Sequence, residues 1–174
     1  KRDEWNYVIT NGSIVRAVVD YVFIALRGSG KIIVGDSPST ESDFPKMTEL
    51  MGLREIQKLY AEKKNFEIEI IDLRDEYWIE CDRVVIDKIR LAGDPRGKVR
   101  FDLADKSMFA ELDDKNIRYY GAFYDADETN RHHQKGRHEY KIAGSVVAAD
   151  VIVNLPKLKT HKKCGLTVNL KSLV

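Results

Sequence analysis

Downstream of Asp150 the chain carries no acidic residue, while Lys157, Lys159, Lys162, Lys163 and Lys171 crowd around His161. A one-sided cluster of cations attracts anionic groups. It follows directly on an apolar run, Val151 to Leu155, that closes at Pro156. Proline cannot donate a ladder hydrogen bond and commonly marks the end of a buried strand. Lys157 onward is therefore expected to leave a sheet at its carboxyl edge, where α/β folds hold ligands. Gly165 allows close approach of the backbone, and Thr167 is suited to cap a helix running through Leu170 and Lys171. The ammonium groups of Lys157, Lys159 and Lys162, the Thr160 hydroxyl and the N–H groups of a helix start would together suit a phosphate or a carboxylate. Neighbouring lysines disfavour the protonated form of His161, which leaves an imidazole able to take a proton near neutral pH. A histidine that only hydrogen-bonds the strand end is the competing reading.

Two further groups of residues could do chemistry. Asp36 and Ser37, in Gly35-Asp36-Ser37-Pro38, read either as a carboxylate and hydroxyl in a substrate cleft or as an Asx turn that prepares Pro38. His132, His133 and His138 fall within seven positions, and they are weak candidates for metal ligands. In a strand, adjacent histidines point apart, so only one of the first two could join His138 without a turn at Gly136. Asp125, Asp127 or Glu128 could add oxygen ligands. Because the spacing matches no metal motif, a polar loop whose Arg131, Lys135 and Arg137 form a basic rim stands beside that reading. Cys164 next to Lys163 has no motif that would make it a nucleophile.

These residues need a scaffold, and the chain alternates helix and strand signals. From Ser13 to Leu26 the polar positions Ser13, Arg16 and Asp20 recur at helical spacing within an otherwise apolar stretch, which predicts a largely buried helix capped near Thr10, Asn11 or Ser13 and stopped at Gly28. Lys31 to Val34 reads as a buried strand. Asp43-Phe44-Pro45 starts a helix that Gly52 breaks and Leu53, Ile56, Leu59 and Tyr60 continue. Phe66, Ile68 and Ile70 alternate with glutamates as a strand. That rhythm predicts a parallel sheet with right-handed crossovers. Arg83 to Leu91 and Val99 to Leu103 suggest a hairpin with a long loop through Gly93 to Gly97. Polar, acidic residues from Asp105 to Lys135 surround the aromatic patch Tyr119 to Tyr124. His138 to Ile142 is expected as a strand, Ser145 to Ala149 as a helical turn and Val151 to Leu155 as the next buried strand. The fold class expected is α/β, a Rossmann-like three-layer core with a mostly parallel sheet and a β-rich or loop insertion over residues 76–137. It reads as a single domain over residues 1–174 and as a piece of a longer chain.

Composition narrows the partners. A net charge of +1 over 174 residues argues against a general nucleic-acid or membrane-surface binder. Acidic residues crowd Tyr119, Tyr120 and Phe123, so stacking of bases there is disfavoured too. Two cysteines, Cys81 and Cys164, are too few for a disulfide framework or a four-cysteine cluster, and no apolar stretch of about 20 residues or signal peptide is present. A reduced, cytoplasmic setting is expected.

The string Ala149 to His161, continued by Gly165, Thr167 and Lys171, resembles the signature of the family called domain of unknown function 362. Thr10-Asn11-Gly12-Ser13 and Gly35-Asp36-Ser37-Pro38 extend the likeness over most of the chain. The resemblance implies an α/β fold and a cofactor or substrate site, with no settled activity and no cofactor identified. His161, Gly165 and Lys171 are also similar in order and spacing to the catalytic histidine, glycine and cofactor-holding lysine of nickel-pincer lactate racemases. That likeness implies a role for Lys171 as a cofactor anchor and for Asp36 in a substrate loop; nickel itself is not predicted. The arginine such enzymes carry near that aspartate is missing, and Asn169-Leu170 replaces their glycine pair. Two functions are therefore expected in competition. One is an enzyme core that binds an anionic small molecule between the Asp36 loop and the Lys157 to Lys171 segment, with His161, Lys171 and Asp36 as catalytic groups. The other is a scaffold module that docks a partner through the acidic, aromatic segment 105–128.

Overall fold

The computed structural model describes residues 2–82, 84–115, 117–119, 126–161 and 165–169. Contacts divide the chain into two compact units, Lys1–Pro95 with Asp150–Val174, and Arg96–Ala149.

In the first unit a 3-10 turn, Arg2–Tyr7, leads to helix α1, Gly12–Leu26. The Asn11 carboxamide oxygen accepts from the Ser13 N–H at 2.9 Å and so caps the helix. The helix closes at Arg27, whose φ of 52° enters the left-handed region one residue before Gly28. Strand β1, Ile32–Asp36, is followed by α2, Phe44–Leu50, with the Asp43 carboxylate accepting from Lys46 N–H at 3.0 Å. Gly52, at φ 64°, breaks the helical run, and α3, Leu53–Lys64, carries it on to β2, Ile68–Asp72. β1 and β2 pair in parallel, from Ile32 opposite Ile68 to Asp36 opposite Asp72. Apolar faces meet in a core of Val15, Val19, Ile32, Leu53, Ile56, Tyr60, Phe66 and Ile68. Phe23 adds edge-to-face contacts with Tyr60 and Phe66 at 5.2 and 5.1 Å.

The first turn of α1 is pressed against the corner between α2 and α3. A Cβ on Gly12 would collide with the Met51 carbonyl oxygen, a backbone atom that cannot swing aside. Gly12→Ala is expected to destabilise this unit by about 1–3 kcal/mol through overpacking, measured as a lower urea midpoint; an unchanged midpoint would refute the close approach.

The same unit contains an antiparallel hairpin of β3, Glu76–Cys81, and β4, Val84–Arg90, with a register slip at Ile79/Glu80. In the second unit β5, Lys98–Asp102, leads through the 3-10 turns Ala104–Lys106 and Ala110–Lys115 to α4, Ala126–His132. β6, His133–Gln134, and β7, Arg137–Ala143, then complete an antiparallel sheet in the order β5-β7-β6. Lys135 and Gly136 both have positive φ, 55° and 77°, as a two-residue hairpin turn requires. A short helix α5, Gly144–Val147, ends the unit. Back in the first unit, β8, Lys159–His161, pairs with β9, Gly165–Thr167.

The Rossmann-like, mostly parallel sheet is not what forms. Among the described residues the sheets hold two or three strands each, and β1 with β2 is the one parallel pair. Val151, Ile152 and Val153 are 78, 53 and 51% exposed and lie outside any strand, while Leu155 packs on the core. An uninterrupted apolar run fits a buried strand, yet its periodicity says nothing about a pairing partner. The expected hairpin of residues 83–91 with 99–103 is likewise replaced. β4 turns back onto β3 through a short connection at Asp82, φ 50°, and β5 pairs with β7. The shorter loop closes at lower entropic cost than the route through Gly93 to Gly97. No helix among the described residues is long and apolar enough to cross a membrane.

Candidate functional site

Both strands of the parallel pair end in aspartate, and Asp36 lies opposite Asp72. Beyond them the chain is held by Arg74, 6% exposed. Its Nε and Nη2 donate to the Asp72 carboxylate at 3.0 and 2.7 Å. Nη1 donates to the carbonyls of Ser39, Thr40 and Ser42 at 2.8, 3.1 and 2.9 Å. One planar guanidinium thus joins the end of β2 to the loop that follows β1, in a two-pronged geometry that lysine cannot copy. The Leu73 N–H donates to the Asp36 carbonyl at 2.9 Å, so the backbone is fixed as well.

The Asp36 residue as a whole is exposed, yet burial is the leading cause that lifts its carboxyl above the ordinary aspartate range. We read a carboxyl set into the strand end and open on one side. The Ser37 N–H, the Lys159 ammonium and Arg74 pull the other way, while Asp72 adds to the rise.

Lys159 arrives from the β8–β9 hairpin, where Lys159 lies opposite Thr167, Thr160 opposite Leu166 and His161 opposite Gly165. Strand alternation puts Lys159 and His161 on one face and Thr160 on the other. Gly165 has φ 78° and nothing within 4 Å of where a Cβ would stand, which leaves space across from His161. The Lys159 ammonium donates to the Val8 carbonyl at 3.3 Å. Lys157 and His161 are half-buried, and Ser37 and Thr160 are exposed. Thr167 does not cap a helix: it sits in β9, 6% exposed, and its hydroxyl donates to the Lys159 carbonyl at 3.4 Å. Lys162, Cys164 and Lys171 lie outside the described residues. Lys159 is thus near enough to Asp36 to draw its carboxyl pKa downward, while its ammonium bonds to Val8. Asp72 and Arg74 were missed; the signal available was a charged pair, two positions apart, just past an alternating strand.

The histidine-bearing segment in the second unit is built differently. His132 Nδ1 meets the Glu139 carboxylate, which also accepts from Arg137 at 2.7 Å. The bond from Arg137, then that from His132, holds Glu139 down at about 2. His133 and His138 face each other across the hairpin, ring centroids 6.1 Å apart. His138 is fully buried. Its Nε2 lies 3.3 Å from Asp113 Oδ1 without the alignment of a hydrogen bond, and the other Asp113 oxygen accepts from the Gly136 N–H at 2.5 Å. Burial, then His138 and His132, lower the pKa of His133. As the side chains stand, no group of three or more His, Cys, Asp or Glu among the described residues is placed to hold a metal ion. Asp127 is paired with Arg118, and Asp125, Tyr120 and Phe123 lie outside the described residues. Tyr119 is packed edge-on against Phe109 at 5.3 Å.

A family model described as a domain of unknown function, DUF362, matches residues 101–174. No curated protein and no solved structure matches the chain, and these comparisons bring no support for a likeness to nickel-pincer lactate racemases.

Proposed function

Residues 101–174 belong to the domain of unknown function 362 family, and from that premise we propose that the end of the β1–β2 pair binds a small phosphate- or carboxylate-bearing molecule. Lys157 and Lys159 attract the anion. Ser37 and Gly165 line the approach. Asp36 accepts a hydrogen bond from a hydroxyl of the ligand, or donates one when protonated, and His161 acts as acid or base. The observation that carries this reading is the placing of Asp36 opposite Asp72 at the carboxyl end of the parallel strand pair, and the pull of the Lys159 ammonium on the Asp36 carboxyl supports it.

Calorimetric titration with inorganic phosphate, and separately with a small hydroxy-carboxylate, tests it. One charge-assisted hydrogen bond contributes about 1.5–3 kcal/mol, so Lys159→Ala is expected to weaken binding by roughly 10- to 100-fold. Saturable binding of equal strength by wild type and Lys159→Ala would discard the site.

A further inference from the structure

Three buried ring nitrogens, His133 Nδ1 and both nitrogens of His138, have no hydrogen-bond partner among the described residues. A buried polar atom left unpaired is costly and rare, and a single ligand between the two facing rings would serve His133 Nδ1 and His138 Nε2 together. We infer that His133, His138 and Asp113 form a binding site for a divalent transition-metal ion of the zinc type.

The distances support it. Two ligands at zinc bond lengths in tetrahedral geometry stand about 3.3–3.5 Å apart; His138 Nε2 and Asp113 Oδ1 are 3.3 Å apart without hydrogen-bond alignment. Two imidazoles sharing one ion have ring centres about 5–6 Å apart, against 6.1 Å here. His133 and His138 flank the Gln134–Arg137 pair that closes the two-residue turn. They therefore occupy a non-hydrogen-bonded rung, where side chains approach most closely. Gly136 N–H fixes the free carboxylate oxygen of Asp113, the kind of outer contact that orients a ligand. As they stand the donors do not close on one point. Closure on one point requires the His133 ring to turn toward His138 Nε2 and Asp113, about a torsion with a broad minimum. His132 takes no part, since Glu139 holds it. Bound there, the ion pins the 3-10 turn Ala110–Lys115 to the β6–β7 hairpin and leaves one coordination position open.

The chain is equilibrated with zinc chloride, freed of excess metal and assayed for metal content, and its affinity is measured by competition with a chromophoric chelator. One zinc per chain is expected, weakened at least about tenfold by His138→Gln and by Asp113→Asn, with His132→Gln unchanged. Asp113 is near the surface, so its variant keeps the test valid if His138→Gln does not fold; circular dichroism checks this. No zinc retained by wild type, undiminished affinity in Asp113→Asn, or an equal loss in His132→Gln overturns the inference.

Discussion

Replacing Arg74 by alanine lowers the stability of the first unit by about 3–5 kcal/mol, the usual consequence of breaking a buried ion pair from one side. The Asp72 carboxylate, 21% exposed against 5% for the arginine side chain, loses its partner, and the carbonyls of Ser39, Thr40 and Ser42 lose a shared donor. Arg74→Lys recovers little, because a single ammonium cannot serve a carboxylate and a row of carbonyls together. The probe is built in: both tryptophans, Trp5 and Trp78, belong to this unit, and the Trp78 N–H donates to the Thr40 carbonyl of the same loop at 3.1 Å. Guanidinium titration followed by tryptophan fluorescence reads the change directly. A loss below about 1 kcal/mol, the range of exposed pairs, would show that the arginine is not the clamp described.

Alkali should weaken the same unit through Tyr60. The ring is 3% exposed and packs in the core, while its hydroxyl donates to the Asp20 carboxylate, which also accepts from Arg16 Nε at 2.7 Å. Burial first, and the bond to Asp20 second, push the phenol from 10.0 up to about 12. The folded state therefore keeps its proton where the unfolded chain gives it up. The resulting stability is complete below pH 10.0 and is lost as pH rises through about 12. Tyr60→Phe retains the ring and removes this alkaline loss; Tyr60→Ala costs about 3–5 kcal/mol at neutral pH by deleting a buried aromatic. Urea midpoints measured across the alkaline range decide the point, and an equal decline in wild type and Tyr60→Phe would rule out the phenol.

Local signals were legible; pairing was not. The polar stripe of Arg16 and Asp20 gave α1 its span, Gly52 marked the break between α2 and α3, and His138 to Ile142 fell inside β7, because each rests on spacing within a few residues. The apolar run at Val151 misled, since a strand is defined by its neighbour as well as by its composition. In the candidate site, Asp36 was expected in a turn and ends β1, while Lys159 was expected in a loop leaving a buried strand and instead starts β8. Arg74 was not, because burial of an arginine depends on three carbonyls more than 30 positions away. The burial of His138 was equally hidden. Arg131, Lys135 and Arg137 suggested a polar loop around the histidines, while the aromatic ring of Phe109, which lies 6.4 Å from His138, comes from the turn just before the 3-10 segment Ala110–Lys115.

The split of the first unit between Lys1–Pro95 and Asp150–Val174 has a bearing on biosynthesis. Thr10 Oγ1 donates to the Leu155 carbonyl at 2.7 Å across a separation of 145 residues, and Lys159 reaches Val8 over 151. A nascent chain cannot make these bonds until Leu155 and Lys159 have emerged, whereas Arg96–Ala149 is continuous and has emerged before then. The intervening unit can thus fold first, and the bonds from Thr10 and Lys159 close last.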